Sequence, residues 1–470
     1  INKKLSLISN KNTILKGTTT NIPGESYSSV IYFGKGSVGS LLQGFNIQGR
    51  EVGVSITNTY QITIKSNTIS QSSITGVKIT NSDKITLERN SISENIGSGI
   101  ILTKSNNTKI ISNQIKSNHE NGLFIENIIN TNISKNNIES NYFSGIKMSE
   151  ITKNLYITLN NISKSSRGIL IDSKTINVQI LSNNLRYNNL EYPDHDYGDT
   201  GCGIAFTPKF IDDYKAGIYP IMKGNGFYGN KGHSIMAPMN IGNFLLQTTG
   251  NWYGSNDIKE SHLCHHIKSD PYQAKIEKIT NGFKIAFYDG DKIATDLAPM
   301  TVSVYINGKE YIVTTENGEA KITLPENENN GVNFFDFRVD GFKQTKVQIG
   351  KEASHSNQNN EGNGNGGSGS GNGNGQGTSG NGFGNTQGNE SGIAGSGENT
   401  LTPKYGDNEE GSQSAEDSNS PSKQKQNAKE IVINEPNTGI FEDKTLVYLV
   451  VPILIAIIAG SFLLRRFKKE

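Results

Sequence analysis

Apolar and polar positions along the first 270 residues follow a pattern that repeats every 23 residues. The segments ITIKSNTISQSSITGVKI (62–79) and ITLERNSISENIGSGIIL (85–102) share one skeleton: I-x-[IL], then N-x-I-S, then G-[VI]-x-[IL]. One glycine column, three apolar columns and one asparagine column recur at this step. They are Gly53, Gly76, Gly99, Gly122, Gly145 and Gly168; Ile56, Ile79, Leu102, Ile125, Met148 and Ile171; Ile64, Leu87, Ile110, Ile133, Ile157 and Ile180; Ile69, Ile92, Ile115, Ile138, Ile162 and Leu185; and Asn67, Asn90, Asn113, Asn136, Asn160 and Asn183.

A period of this length predicts a solenoid, in which each coil buries its apolar side chains against the next coil. The composition favours a parallel β-helix over a leucine-rich repeat. The return segment SQSSITGVKITNSD holds Ser, Thr, Asn and β-branched residues, which suit short strands and turns rather than a helix. We therefore predict about ten coils with a cap over residues 1–270. Glycine and asparagine are expected at corners that need a positive φ.

One step of the period is 24 residues long, between Met148 and Ile157, and the turn before Gly168 is one residue shorter. An insertion followed by a deletion is tolerated in turns and not in a core. The pattern therefore places this irregularity at a corner of the solenoid.

Composition restricts the class of protein. The chain has 470 residues, more than one ordinary domain needs, and a net charge of +1 from 45 basic and 44 acidic residues. This balance argues against nucleic acid as the main partner. The chain has only 2 cysteines, so it is not a disulfide scaffold. It opens on a segment that already resembles a coil and lacks a signal peptide, so we expect a processed or truncated N-terminus.

The remaining 200 residues divide into four regions by composition. Residues 274–350 hold alternating runs and the hairpin signal Asn307-Gly308, which predict a small immunoglobulin-like β-sandwich. Residues 351–430 are rich in Gly, Asn and Ser and are expected to be a disordered linker. Residues 446–464 carry no charge and predict a transmembrane helix, and residues 465–470 form a basic tail that is expected in the cytoplasm.

These features together resemble a known family of surface proteins. Ile/Asn-rich coils, a closing GNWYG, a β domain with VYINGKEY, a Gly/Asn tract and a terminal span are similar to the adhesin-like surface proteins of methanogenic archaea. The solenoid resembles the broader right-handed β-helix superfamily, which includes pectate lyases and NosD-type proteins. The resemblance implies a right-handed fold and a place at the cell surface. It says little about function, because that superfamily holds enzymes, binders and stalks.

The first strand of each coil is where sugar-cleaving members of that superfamily bind substrate. Strand alternation predicts two outward columns there. One holds Ser55, Lys78, Ile101, Phe124, Lys147 and Leu170, and the other holds Thr57, Thr80, Thr103, Glu126, Ser149 and Asp172. We predict that the stripe of Lys78, Ile101, Phe124, Lys147 and Leu170 binds a sugar ring or a partner. The alternative is a face that a loop covers or that has no partner.

Two sets of residues are candidates for catalysis. Glu126 and Asp172 lie two coils apart in one column, about 10 Å, which is near the carboxylate spacing of an inverting glycosidase. An insert before Gly203 carries the second set, whose residues could bind Ca²⁺ or act as an acid/base pair: Asp194, His195, Asp196 and Asp199. The alternatives are carboxylates that share a column by chance and a loop that is merely solvated. Polygalacturonase-type motifs are not present in order, and Asp212-Asp213 lacks its partners.

The segment SHLCHH contains His262, Cys264, His265 and His266. Adjacent histidines point apart in an extended strand, so this segment is a poor metal site. Cys202 and Cys264 are candidates for a disulfide that ties the cap to the solenoid, with two buried thiols as the alternative.

The segment before the predicted span is a candidate sorting signal. Pro436, Asn437, Thr438 and Gly439 match the last four positions of the sortase signal L-P-x-T-G, with Glu435 in place of Leu. In that family the chain is cut between Thr and Gly and joined to the cell wall. Because Glu replaces the apolar residue, a permanent membrane anchor is the favoured alternative.

Taken together, the sequence predicts a non-catalytic cell-surface adhesin or carbohydrate-binding stalk with no required cofactor. Its partner would be an extracellular glycan or a surface protein of another cell. The N-terminal domains are expected outside the cell, and the C-terminal helix crosses the membrane once. A polysaccharide lyase or glycoside hydrolase is the second hypothesis, and a purely structural spacer is the third. A NosD-type role in metal assembly is disfavoured, because the tether and the linker have no part in it.

Overall fold

The structure is a computed structural model that describes most of the first 350 residues. The described ranges are 1–10, 13–17, 27–190, 201–238, 245–258, 263–264, 266–280, 282–306, 308–323, 333–349 and 430–432. Over the first 271 residues the described chain forms a parallel β-helix, and the strands that follow form two further sheets. The prediction of an all-β solenoid is confirmed.

Each coil contributes three short strands, and equivalent strands of successive coils pair in parallel to form three faces. The first face, which contains the repeat glycines, is built from Ser29–Phe33, Val52–Thr57, Thr75–Thr80, Ser98–Thr103, the first parts of Leu123–Ser134, Ser144–Thr158 and Arg167–Leu181, then Cys202–Phe206 and Ile235–Met236. The second face is built from Ser6–Ile8, Leu41–Gln43, Thr63–Lys65, Thr86–Glu88, Lys109–Ile111, the last parts of the same long strands, and Ile221–Lys223. The third face is built from Ile14–Lys16, Asn46–Gln48, Thr68–Ser70, Ser91–Ser93, Gln114–Lys116, Asn137–Glu139, Asn161–Ser163, Asn184–Arg186 and Gly226–Tyr228.

The three long strands run through the corner between two faces. The first and second faces therefore form one sheet of 15 strands, whereas the third face is a separate sheet of 9 strands. The strand Leu246–Asn251 pairs with Ile267–Pro271 and begins the closing turn. With it the solenoid has about ten coils, as predicted.

The irregular step of the period lies where the sequence predicts it. Glu126 pairs with Ser149, a step of 23, and Ile128 pairs with Thr152, a step of 24. The step returns to 23 at Ser144 and Arg167 on the first face of the next coil. Both changes fall at corners, where an added residue does not shift side chains out of the core.

The three apolar columns form one continuous core. Every member of the predicted columns is fully buried, and Ile110, for example, lies in register between Leu87 and Ile133. The inward phase of the alternation is therefore confirmed on all three faces. Stacked coils bury the same methyl groups from both sides, which explains why isoleucine dominates these positions.

The asparagine column is a buried hydrogen-bonded ladder. Asn113 Nδ2 donates to Asn136 Oδ1 at 3.0 Å and to the Leu87 carbonyl at 3.0 Å. Its own Oδ1 accepts the backbone N–H of Asn90 at 2.9 Å. Each side chain thus satisfies backbone groups of the corner on both sides, which buried polar groups require.

The expected positive φ does not lie in the glycine or asparagine columns. At the corner that carries the asparagine column, the left-handed residues are the ones immediately before the asparagines: Ser66, Arg89, Ser112, Lys135, Leu159 and Ser182. A Cβ at Gly76 would instead lie 2.9 Å from the Gly99 carbonyl oxygen and 2.7 Å from a methyl group of Ile92. The glycine column is therefore needed for close approach between coils, and the asparagine side chains hold strained neighbours in place.

Two antiparallel sheets follow the solenoid and share one core. One contains Gln273–Ile279, Gly282–Asp289, Lys292–Ile293 and Glu319–Thr323, with Glu430–Val432 paired in parallel at its edge; the other contains Thr301–Ile306, Lys309–Thr314, Asn333–Val339 and Phe342–Ile349. Phe283 packs against Phe335 and Phe337, with ring centroids 4.8 and 4.9 Å apart. The immunoglobulin-like topology of this part stays a prediction.

The two-sheet part is joined to the third face of the solenoid by a buried ion pair. Arg186 Nη1 lies 2.8 Å from Asp340 Oδ1, and the Asp340 side chain is 2% exposed. The indole N–H of Trp252 donates to Asp340 Oδ2 at 2.7 Å. Burial raises the pKa of Asp340, while the charge of Arg186 and the Trp252 hydrogen bond act in the opposite direction. The closing GNWYG motif therefore connects the two parts of the chain.

The predicted disulfide does not form. Cys202 and Cys264 are both buried thiols. The Cys202 sulfur lies 3.7 Å from Met236 Sδ, and the Cys264 sulfur accepts the backbone N–H of Ala237 at 3.2 Å. The strand Ile235–Met236 runs between them, so their backbones are at least two strand spacings apart, about 10 Å or more, which exceeds the reach of a disulfide.

Several predictions concern residues outside the described ranges. These are the linker 351–430 except its last residue, the sorting-signal candidate Pro436, Asn437, Thr438 and Gly439, the transmembrane segment 446–464 and the tail 465–470. In the described part of the chain, helices are too short and too polar to cross a bilayer. The only helical segments described are Pro208–Phe210 and Ile211–Lys215.

Candidate functional site

The outward side of the first face carries the predicted stripe in straight register. Lys78 pairs with Ile101, Ile101 with Phe124, Phe124 with Lys147, and Lys147 with Leu170. Neighbouring side chains in such a column are separated by one strand spacing, about 4.8 Å. We call Lys78, Ile101, Phe124 and Lys147 the lysine–aromatic column. It is about 14 Å long from end to end.

The four side chains of the lysine–aromatic column are half-buried. The Lys78 ammonium lies 3.8 Å from the ring centroid of Tyr27, and the Lys147 ammonium lies 5.9 Å from that of Phe124. Both lysines therefore lie over aromatic rings, at distances where cation–π attraction operates. The column presents an apolar centre with a cation at each end.

The predicted outward column that contains the lysine–aromatic column runs from Ser55 to Leu170, and both of these end residues are buried. Leu170 is 8% exposed and clusters with Cys202, Ala205 and Met236 on the outer side of the first face. Ser55 is fully buried under Tyr27, whose hydroxyl lies 3.1 Å from the Ser55 hydroxyl. The prediction of Leu170 as an exposed binding residue is therefore wrong, because apolar neighbours from later coils pack around it.

The second outward column changes from hydroxyls to carboxylates along the solenoid. The hydroxyls of Thr80 and Thr103 lie 3.2 Å apart. Glu126 pairs with Ser149, and Ser149 pairs with Asp172, so the two carboxylates lie two strands apart as predicted. Both are half-buried. Their backbone separation is about 10 Å.

A short insert after the first-face strand Cys202–Phe206 adds a lysine to these carboxylates. Lys209 Nζ lies 2.7 Å from Glu150 Oε1. This hydrogen bond raises the pKa of Lys209, and the charges of Asp172, Glu150 and Glu126 act in the same direction. We call Glu126, Glu150, Asp172 and Lys209 the carboxylate–lysine cluster. Its lysine remains an ammonium ion at neutral pH and is not available as a general base.

The insert is anchored on the first face. The Thr207 hydroxyl donates to Asp172 Oδ1 at 2.7 Å, and the helix Ile211–Lys215 places Asp213 3.2 Å from Lys174 Nζ. Tyr214 is fully buried with its ring 5.2 Å from that of Phe206, and burial raises its pKa. Sequence reasoning missed Lys209. Lys209 lies in the segment PKFIDDYK (208–215), which interrupts the coil pattern with helix-forming residues. That interruption is the feature of the sequence that could have revealed the insert.

The other candidate sites lie largely outside the described ranges. The structure does not describe residues 191–200, which contain Asp194, His195, Asp196 and Asp199. His262 and His265 also lie outside the described ranges. Among the described residues, His, Cys, Asp and Glu side chains form no group of three that could hold a metal ion. The calcium hypothesis for the insert stays a prediction.

Solved structures that resemble the chain share little sequence with it. A mutant of the periplasmic alginate epimerase AlgG is 15% identical, over 50% of this chain and 51% of that protein, with a TM-score of 0.33. The enzymatically active domain of bacteriophage CBA120 tailspike protein 2 is 11% identical, over 69% and 66%, with a TM-score of 0.38. Pectate lyase Pel9A is 10% identical, over 57% and 66%, with a TM-score of 0.32. Likenesses at this level carry no information about activity.

A family match covers the regular part of the solenoid. No curated protein matches the chain in sequence. The chain spans 51% of the length of the alginate epimerase that it resembles. Residues 29–185 match the family described as the right handed beta helix region, which is the part of the chain where the three faces and their buried columns are most regular.

Proposed function

We propose that this protein is a non-catalytic glycan-binding protein of the cell surface and that the lysine–aromatic column contacts the ligand. The observation that carries the proposal is the straight register of Lys78, Ile101, Phe124 and Lys147 on the outward side of the first face. An aromatic ring with flanking cations suits the apolar face and the hydroxyl groups of a sugar. Because the column runs along the solenoid axis, it could contact successive sugar rings of an extended glycan.

Phe124→Ala is expected to weaken glycan binding by at least about tenfold, because it removes the only aromatic ring of the column. The full chain should first be screened on a glycan array, and affinities should then be measured by calorimetry. The melting temperature is expected to stay within a few degrees, because Phe124 is only half-buried. Tyr156→Ala is a matched control, since Tyr156 is 39% exposed on the second face.

A large loss of thermal stability in Phe124→Ala would place that ring in a structural contact. Unchanged affinity in a stable Phe124→Ala variant would exclude the column as the binding surface. Failure of the full chain to bind any glycan would favour the third hypothesis, a structural spacer.

The carboxylate–lysine cluster supports a second candidate function, glycoside hydrolysis. The backbones of Glu126 and Asp172 lie about 10 Å apart, near the spacing of the acid and the base in an inverting glycosidase. Lys209 adds a cation beside these carboxylates. A reducing-end assay on the glycans that bind separates the two functions. Release of reducing ends that disappears in Asp172→Asn would establish the enzyme, whereas binding without release supports the adhesin.

We further propose that residues 446–464 tether the protein to a membrane, with the N-terminal domains outside the cell. The support is the uncharged segment followed at once by the basic tail 465–470. Mass spectrometry of the mature protein is expected to recover peptides that run through Phe441 to Lys444. A C-terminal peptide that ends at Thr438 and carries wall material would show sortase-type processing instead.

A further inference from the structure

A second surface of the solenoid lies at the corner between the first and second faces. Here an open pocket is lined by Asn58, Thr59, Tyr60, Asn81 and Asp83. The Tyr60 side chain is 49% exposed, Asn58 and Asn81 are exposed, and Asp83 is half-buried. The pocket shares no residue with the lysine–aromatic column or with the carboxylate–lysine cluster.

Backbone pairing between coils fixes the shape of this corner. The N–H of Asp83 donates to the Thr59 carbonyl at 3.1 Å, and Tyr60 and Asp83 form a parallel bridge. Asn58 and Asn81 have φ values of 53° and 47°, and their backbone N–H groups donate to the carbonyls of Thr80 and Thr103 at 3.1 and 3.2 Å. Groups held by paired backbone in this way are preorganised for a ligand.

A ladder of side-chain amides ends at this pocket. Four amides donate in the same direction along the corner, with donor–acceptor distances between 2.6 and 3.2 Å: Asn177 to Asn154, Asn154 to Asn130, Asn130 to Asn107, and Asn107 to Asp83. Asp83 Oδ1 is the terminal acceptor of the ladder. Aligned hydrogen bonds of this kind polarise one another and fix the carboxylate that they end on.

The chemistry of the lining narrows the class of ligand. An exposed aromatic face, two amides that both donate and accept, and a carboxylate that accepts from hydroxyl groups match an uncharged polyhydroxyl ring. The carboxylate of Asp83 disfavours an anionic ligand by charge repulsion. A calcium ion prefers six to eight oxygen ligands, and Asp83 is the only carboxylate that lines the pocket.

We infer that this corner is a binding site for a neutral pyranose, stacked on Tyr60 and hydrogen-bonded by Asn58, Asn81 and Asp83. It is separate from the proposed binding surface on the first face. The two binding proposals are therefore independent, and either one can fail while the other holds. Together they would let one solenoid hold two segments of glycan, or two different glycans.

The test is calorimetric titration of the full chain with neutral and acidic hexasaccharides. The neutral probes are cellohexaose, mannohexaose and a galactan hexamer, and the acidic probe is a hexamer of mannuronic acid. At least one neutral hexamer is expected to bind. Tyr60→Ala should weaken that binding by about tenfold or more, whereas Tyr60→Phe, which keeps the ring, should remain within about threefold of the parent protein.

Asp83→Ala is expected to weaken the same binding by about tenfold, since it removes the acceptor for the sugar hydroxyls. Asp83→Ala could also lower the melting temperature, because the amide ladder loses its terminal acceptor. In that case the comparison of Tyr60→Ala with Tyr60→Phe tests the site, because the Tyr60 side chain is exposed. Tyr156→Ala again serves as the control for loss of an exposed tyrosine ring.

Three results would overturn the inference. They are equal affinity of Tyr60→Ala and the parent protein, equal or tighter binding of the mannuronic acid hexamer at this site, and absence of binding to every neutral hexamer at millimolar concentration. A Phe124→Ala variant titrated in parallel distinguishes the two surfaces. Loss of binding in that variant alone would support the first face and reject the pocket, and loss in Tyr60→Ala alone would do the reverse.

Discussion

Ile110→Asp is expected to destabilise the solenoid by several kcal/mol, the largest effect of any single change considered. The Ile110 side chain is fully buried, and its strand neighbours on either side are Leu87 and Ile133. An aspartate there would place a carboxylate between two apolar side chains with no donor to pair it. Circular dichroism during thermal unfolding of the full chain measures the loss.

Lys109→Asp is the matched control for this change. Lys109 precedes Ile110 in the same strand, and its side chain is exposed on the outer side of the second face. We expect a change of about 0.5 kcal/mol or less. Equal melting of the two variants would show that the inward and outward phases are assigned wrongly.

Arg186→Ala is expected to cost about 3–5 kcal/mol, because it leaves the carboxylate of Asp340 buried without its cation. The guanidinium contacts both carboxylate oxygens, at 2.8 and 3.2 Å, and only the Trp252 N–H at 2.7 Å would remain. Since this pair joins the solenoid to the two-sheet part, the thermal transition of that part should move to lower temperature first.

The Arg186→Ala loss is also expected to depend on pH. Burial already raises the pKa of Asp340, and removal of Arg186 takes away the charge that opposes this shift. An acid whose pKa is higher in the folded state binds a proton more tightly there, so its contribution to stability falls as pH rises through the folded pKa. The difference between variant and parent should therefore be smaller at about pH 4 than at about pH 8.

Lys164→Ala provides the control on the same face. Lys164 pairs with Glu139 at 2.7 Å, but its side chain is 48% exposed, so its removal should cost less than about 1 kcal/mol. The double variant Arg186→Met with Asp340→Asn should recover most of the stability lost in Arg186→Ala, since no buried charge remains, an amide oxygen can still accept the Trp252 N–H, and asparagine tolerates the φ of 53° at position 340. If Arg186→Ala and Lys164→Ala melt alike, the ion pair does not hold the two parts together.

The sequence predicted which strand positions of the candidate site lie in register, but it predicted only some of the side chains that meet there. The 23-residue step placed Lys78, Ile101, Phe124 and Lys147 in one column, and it placed Glu126 two strands from Asp172. The same step also contained a second buried ladder that sequence reasoning overlooked: Asn95, Asn118, Asn141, Ser165 and Asn188. Lys209 could not be placed in this way, because it lies on an insert that has no counterpart in other coils.

By itself, the sequence determined the three-faced solenoid, its inward columns and the position of its irregular step. It could do so because side chains alternate between the two sides of a strand and because the coils have nearly constant length. The inward positions of one coil therefore give the inward positions of every other coil. Only the tertiary structure decided which outward residues are accessible, since Leu170 is covered by side chains that are distant in sequence. It also decided the state of the cysteines and the pocket beside Tyr60, because both depend on how far apart neighbouring coils hold their side chains.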